Sequence, residues 1–148
     1  MLFRSATSNG STGFMFSTLN VTNSGTLTLN NLGGDISIST SINVDPTSIL
    51  NTALNSLTLP ASVTFSGVVN YDQSGAQTIS AATYSYLKLS RTGAKTLGGT
   101  VNIPANGTLE MSGIATSPTL NLGGNSLNIS STGTTLIYSS AEIGRAHV

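Results

Sequence analysis

Residues 68–113 read VVNYDQSGAQTISAATYSYLKLSRTGAKTLGGTVNIPANGTLEMSG. Short runs alternating apolar and small polar residues follow one another: Val68–Tyr71, Gln77–Ile79, Tyr86–Leu89, Lys95–Leu97, Thr100–Ile103 and Thr108–Met111. Alternation on this scale marks strands that bury one face. Between the runs stand Ser74–Gly75, Thr92–Gly93, Gly98–Gly99 and Asn106–Gly107, pairs whose glycines supply the positive φ of tight corners. The apolar anchors Val63, Leu87 and Leu109 fall 24 and 22 residues apart. Rungs of about 20–25 residues, each made of several short strands, predict an all-β parallel solenoid of about five to seven rungs. Each inward Val, Ile or Leu stacks on its equivalent in the next rung, and outward Ser, Thr and Asn hydrate the faces.

The same rhythm extends both ways. Upstream lie Thr26–Leu29, Asp35–Ser39 and Ser62–Phe65; downstream lie Thr119–Leu122, Ser126–Ile129 and Thr134–Tyr138. Internal similarity is loose: GTLTLNNLGGDISIST from Gly25 returns as GTLEMSG from Gly107 and PTLNLGGNSLNISST from Pro118. An antiparallel β-sandwich is the alternative. It predicts longer strands joined by Asn-Gly or Asp-Gly hairpins, and the short runs here favour the solenoid. One stretch, 45–58, breaks the rhythm. Asp45-Pro46 precedes Ile49, Leu50, Ala53, Leu54 and Leu57, which fits an N-capped short helix or insertion; the other reading is one more rung with loose alternation.

Composition narrows the function. Charged residues make up 7% of the 148, and five basic residues cancel five acidic ones. No basic patch is available to follow a phosphate backbone, which excludes nucleic acid as a partner. There is no Cys, so disulfides and thiolate metal sites are excluded. Ser, Thr and Asn together supply 59 residues, yet mean hydropathy is +0.17, unlike the charged composition of disordered chains. No run approaches the roughly 20 apolar residues of a membrane helix, so membrane insertion is not expected.

The ends, MLFRS (1–5) and EIGRAHV (142–148), admit another origin. GTG CTC TTC CGA TCT codes for the first, with GTG as start codon, and GAG ATC GGA AGA GCA CAC GTC for the second. The run AGATCGGAAGAGCAC in the latter is the reverse complement of the former, as in a library insert with one adapter ligated to both sides. Both tails resemble a translated short-read sequencing adapter and are expected to be scars of a metagenomic fragment. The segment 6–141 is then the solenoid proper. It contains three cations (Lys88, Arg91, Lys95), four anions (Asp35, Asp45, Asp72, Glu110) and no His.

Within 68–113, V-x-Y-x-x-x-G-x-Q-T-I (Val69 to Ile79), A-x-Y-x-x-L-x-L-S-x-x-G-x-K-T-L (Ala82 to Leu97) and G-T-L (Gly107 to Leu109) resemble repeats of large secreted bacterial surface proteins of the adhesin-like kind; the later L-N-L-G-G-N-S-L-N-I (Leu120 to Ile129) is similar to them as well. The resemblance covers over half of 6–141 and departs from the pattern at Asp45–Pro60. It implies a right-handed β-helix, an extracellular or cell-surface location, and a structural repeat in place of a catalytic family. The partners it implies are neighbouring repeats of the same parent chain, with surface glycans or host and matrix proteins beyond them.

Chemistry finds little support. The carboxylates are spread over different rungs, whereas acid–base hydrolysis needs two of them a few ångströms apart. A Ser-His-Asp triad needs a His that 6–141 lacks. No D-x-D-x-D calcium loop and no G-x-x-x-x-G-K-[ST] phosphate loop occurs. No catalytic residue, cofactor or metal is therefore expected. A glycan-binding or polysaccharide-cleaving β-helix is the alternative function. Tyr71, Tyr84, Tyr86 and Lys88 are its candidate residues, because stacking rings beside a cation suit a sugar with an acidic group.

Overall fold

The computed structural model describes residues 2–8, 14–30, 36–113 and 118–139. The strands are β1 (Leu2–Ser8), β2 (Phe14–Val21), β3 (Thr26–Leu29), β4 (Ile36–Val44), β5 (Ile49–Thr52), β6 (Leu57–Thr58), β7 (Thr64–Tyr71), β8 (Gln77–Ile79), β9 (Ala82–Ser90), β10 (Ala94–Leu97), β11 (Val101–Ile103), β12 (Thr108–Ser112), β13 (Thr119–Asn121), β14 (Leu127–Ile129) and β15 (Thr135–Ser139). No helix occurs among the described residues. The chain is a β-solenoid of about five turns, and neighbouring rungs pair in parallel, so the antiparallel sandwich does not form. The antiparallel contact is β1 on β2, running from Leu2↔Asn20 to Ser8↔Phe14.

The rungs build three lateral stacks. In one, β2, β4 and β6 pair in turn, and β8, β10 and β13 continue the series. The Thr78 amide joins the two halves by donating to the Asn55 carbonyl at 2.8 Å. In the second, the first half of β7, the first half of β9, β11 and β14 are stacked. In the third, β3, β5, the end of β7, the end of β9, β12 and β15 align Leu27, Leu50, Val69, Leu87, Leu109 and Leu136 in one ladder. Leu27 to Leu109 are buried along this ladder, and their contact with the rungs above and below supplies the apolar burial that stabilises the coil.

The stretch 45–58 corrects the helix expectation. Asp45 and Pro46 make a turn: the Asp45 carboxylate accepts the Thr47 amide at 3.1 Å and the Thr47 hydroxyl at 3.0 Å. It also accepts the Asn23 amide of the preceding rung at 2.8 Å. Residues that cap a helix are equally turn residues, and here the second rung decides between the two. Leu50, Leu54 and Leu57 are all buried, each on a different segment of a bending rung, and that bend produces the spacing that reads as helical. The solenoid is continuous through this stretch, β5 pairing with β3 before it and β7 after it.

Two runs read as separate strands, Ser62–Phe65 and Val68–Tyr71, are parts of one strand. The register of β7 on β9 shifts between Phe65 and Val68, a bulge that turns the strand from one stack to the next. Gly67 sits there because a Cβ would lie 2.1 Å from the Asp45 carbonyl oxygen and 2.6 Å from that of Ser48. Of the expected glycines only Gly93 has positive φ; Gly75, Gly98, Gly99 and Gly107 do not, and the left-handed corners fall instead on Gly123, Gly124, Gly133, Asn23, Ser24, Ser62, Arg91 and Asn106. Asp35 and the tail 142–148 lie outside the described residues, whereas Leu2–Ser5 belong to β1.

Candidate functional site

Tyr71, Tyr84, Tyr86 and Lys88 separate into two pairs. The side chains of Tyr71 and Tyr84 point into the solenoid and are 1% and 0% exposed. The Ser80 amide donates to the Tyr71 hydroxyl at 3.0 Å, and the Tyr84 hydroxyl donates to the Ser80 carbonyl at 2.7 Å. The two hydroxyls are 2.8 Å apart. Because the Tyr84 proton is taken by a carbonyl, the Tyr71 proton goes to the Tyr84 oxygen, and the three groups form a closed ring of hydrogen bonds. Phe65 stacks on Tyr84 with ring centroids at 5.1 Å, and Tyr71 meets Tyr84 edge-on at 6.3 Å. Burial raises the Tyr71 hydroxyl above its ordinary value of 10.0 and raises that of Tyr84 well above it. As glycan-binding residues both are corrected: buried rings with satisfied hydroxyls offer no face to a sugar. They instead allow a polar turn at Ser80 to lie inside an apolar coil.

Tyr86 and Lys88 stand on the outer side of the third stack. The Tyr86 hydroxyl donates to Glu110 Oε2, and Lys88 Nζ lies 2.8 Å from Glu110 Oε1. Desolvation, followed by the Glu110 carboxylate, pushes the Tyr86 hydroxyl up to about 12. Burial alone would raise Glu110, but hydrogen bonds from Lys88, Tyr86 and Ser112 outweigh it and hold the carboxyl below its ordinary 4.5. Beside the pair is a shallow depression of ≈ 360 Å³ lined by Ile49, Asn51, Val68, Asn70, Tyr86 and Lys88. Its amides are already used across rungs: Asn70 Nδ2 donates to Asn51 Oδ1 at 3.0 Å, and Ser90 Oγ donates to Asn70 Oδ1 at 2.7 Å.

The remaining charges follow the same plan. Arg91 Nε donates to Asp72 Oδ1 at 2.8 Å across one rung. Lys95, set opposite Gln77 in the register, is 0% exposed. Its Nζ donates to the Gln73 carbonyl at 2.5 Å and to Gln77 Oε1 at 3.0 Å. Gln77 Nε2 in turn donates to the carbonyls of Thr52 and Leu54, both at 2.8 Å. Burial lowers the Lys95 amine to about 8, against a raising effect of Asp72. Asp45 is held below 3.8 by the Ser48 hydroxyl beside it and by the Asn23 and Thr47 amides.

Of the carboxylates spread over the rungs, Glu110 pairs with Lys88 and Tyr86, and Asp72 pairs with Arg91. The signal was present in the spacing, since the 22-residue step from Leu87 to Leu109 also carries Lys88 to Glu110. Among the described residues no group of three His, Cys, Asp or Glu side chains could hold a metal ion, and no helix is long and apolar enough to cross a membrane. In comparisons with known proteins, no family model, no curated protein and no solved structure matches the chain.

Proposed function

We propose that this chain is a non-catalytic structural repeat, a stalk or spacer of an exported bacterial adhesin-like surface protein that contributes to adhesion by holding other modules away from the cell. One observation supports it above the rest. Each of the six charged side chains between Ile36 and Gly113 contacts a group of an adjacent rung: Asp45 with Asn23, Arg91 with Asp72, Lys88 with Glu110, and Lys95 with Gln73. Charge that is used to tie rung to rung is not free to polarise a substrate or carry a proton. Low charge and the absence of Cys suit a rod that folds outside the cell without disulfides.

The test is sequencing of the source DNA outward from the codons of Ala6 and Ala141. The expected result is loss of the codons for 1–5 and 142–148 and an open frame running into further repeats, an export signal or a sorting domain. Persistence of those codons in the genome, bounded by a start and a stop, would overturn the reading. The glycan-binding alternative keeps Tyr86 and Lys88 beside the outer depression. Binding on a glycan array that is lost in Tyr86→Ala and Lys88→Ala would favour it over the spacer.

A further inference from the structure

One outward column of the third stack changes character in the middle of the coil. Its positions in register are Thr26, Ile49, Val68, Tyr86, Thr108 and Thr135. Outward positions of the other stacks hold small polar residues, among them Thr64, Thr78, Thr83, Thr96 and Asn102. Ile49, Val68 and Tyr86 depart from that rule together, and the column returns to Thr on either side. Beside them runs a polar column, Asn51, Asn70, Lys88 and Glu110. The shallow depression of ≈ 360 Å³ is lined by these apolar side chains and by Asn51, Asn70 and Lys88. It lies where β5, β7 and β9 each have a strand on both edges, so the ends of the chain do not account for it. A spacer alone gives no reason for an apolar strip on a hydrated side. An apolar floor with a few polar groups along one side is the make-up of a ligand site.

We propose that this depression binds an uncharged, extended β-1,4-linked glycan lying along the coil axis, with one sugar on each of the rungs of Ile49, Val68 and Tyr86. Successive rungs are about 4.7–4.9 Å apart, close to the length of one sugar in such a chain, so the same contact repeats in step. The apolar faces of the sugars lie on Ile49, Val68 and the Tyr86 ring. Their hydroxyls, which both donate and accept, meet the amides of Asn51 and Asn70. Those amides have capacity left: Asn70 Nδ2 spends one hydrogen on Asn51 Oδ1, and Asn70 Oδ1 accepts from Ser90 with one lone pair. Glu110 holds both the Tyr86 hydroxyl and the Lys88 ammonium in place. The same pairing sets the charge of the ligand, because a uronate would be repelled by Glu110 as it is drawn by Lys88. A protein strand is a poor occupant, since the backbone edges of β5, β7 and β9 are already paired. The inference deepens the glycan-binding reading of Tyr86 and Lys88 and changes its ligand from an acidic sugar to a neutral one.

Isothermal titration calorimetry of the full chain with cello-oligosaccharides tests it. Affinity should rise from cellobiose to cellotriose and level off by cellohexaose. Maltohexaose, whose α-linkage coils the chain, and trigalacturonate should bind about tenfold more weakly or less. Tyr86→Ala and Ile49→Ser should each weaken cellohexaose binding about tenfold, with an unchanged circular dichroism spectrum. Tyr86→Phe keeps the ring and should retain binding, and Thr83→Ala on the second stack should leave it unchanged. Glu110→Gln should admit trigalacturonate by freeing the Lys88 charge. No heat with cellohexaose at millimolar concentration would overturn the proposal. So would equal binding of maltohexaose, or binding that survives Tyr86→Ala combined with Ile49→Ser. Preference of the unaltered chain for trigalacturonate would overturn the neutral ligand while keeping the glycan-binding reading, so the two fail separately.

Discussion

Leu87 and Leu136 occupy one ladder, two rungs apart, and share a strand register, a side-chain type and an inward position. Leu87 is 1% exposed and Leu136 is 64% exposed. The middle rungs around Leu87 have neighbours on both sides, a tyrosine ring system within and ion pairs without. The last rung has a neighbour on one side and no charge. In a solenoid the environment of a residue is set by what lies above and below it, so leucines at equivalent positions of one ladder are enclosed on one rung and exposed on another.

The largest effect expected from this contrast is on stability. Leu87→Ala should destabilise the chain by about 2–5 kcal/mol, the range for truncating a buried leucine. Leu136→Ala should change it by less than about 0.5 kcal/mol, as exposed substitutions do. Urea unfolding monitored by circular dichroism measures both, and equal losses would erase the distinction. Next in size is Tyr84→Phe, which leaves the Ser80 carbonyl and the Tyr71 hydroxyl without their partner and should cost about 1–3 kcal/mol. Tyr138→Phe, on the open rung, should be silent in the same assay.

The pH dependence sharpens the contrast, since the buried titratable groups all lie in the middle rungs. Lys95 holds its proton only up to about 8 in the fold, against an ordinary value of 10.5. Between these values the unfolded chain binds more protons, so stability rises with pH across that window. Above pH 10 the buried Tyr71 and Tyr84 keep protons that the unfolded chain releases, and stability falls again. Urea midpoints from pH 7 to 11 should therefore pass through a maximum near pH 10, and Lys95→Met should remove the rise while leaving the fall. A flat wild-type profile would contradict the burial of all three. On the acid side the lowered carboxyls of Asp45 and Glu110 contribute stability that is present above their unfolded values and lost as pH drops through the folded ones. The smallest effect is expected at the surface pair: Lys88→Met should cost at most about 1 kcal/mol, as partly exposed ion pairs do.

Much of the strand order was legible in the chain. The runs Thr26–Leu29 and Gln77–Ile79 match β3 and β8 end to end, because a rung that buries one side of each strand imposes strict alternation. Gly25-Thr-Leu and Gly107-Thr-Leu start strands of the same stack, β3 and β12, as their similarity suggested. The candidate site was less legible. Alternation along β9 would place Tyr84 and Tyr86 on one side of the sheet, but it breaks at Ser85 and Tyr86, where the register on β7 shifts, so Tyr84 turns inward and Tyr86 outward. Three tyrosines close in sequence therefore went to two environments, and aromatic content alone held no sign of which.

The sequence by itself determined the class and the scale of this protein: parallel rungs of small polar and branched apolar residues, with few charges and no thiol. These are properties of composition and period, which act residue by residue. The tertiary structure alone decided that Asp45–Leu57 is a rung and not a helix, that Lys95 is enclosed, and that Leu136 and Tyr138 are bare. Each of these depends on what lies about twenty residues away along the chain, and contact at that distance is settled only when the coil closes.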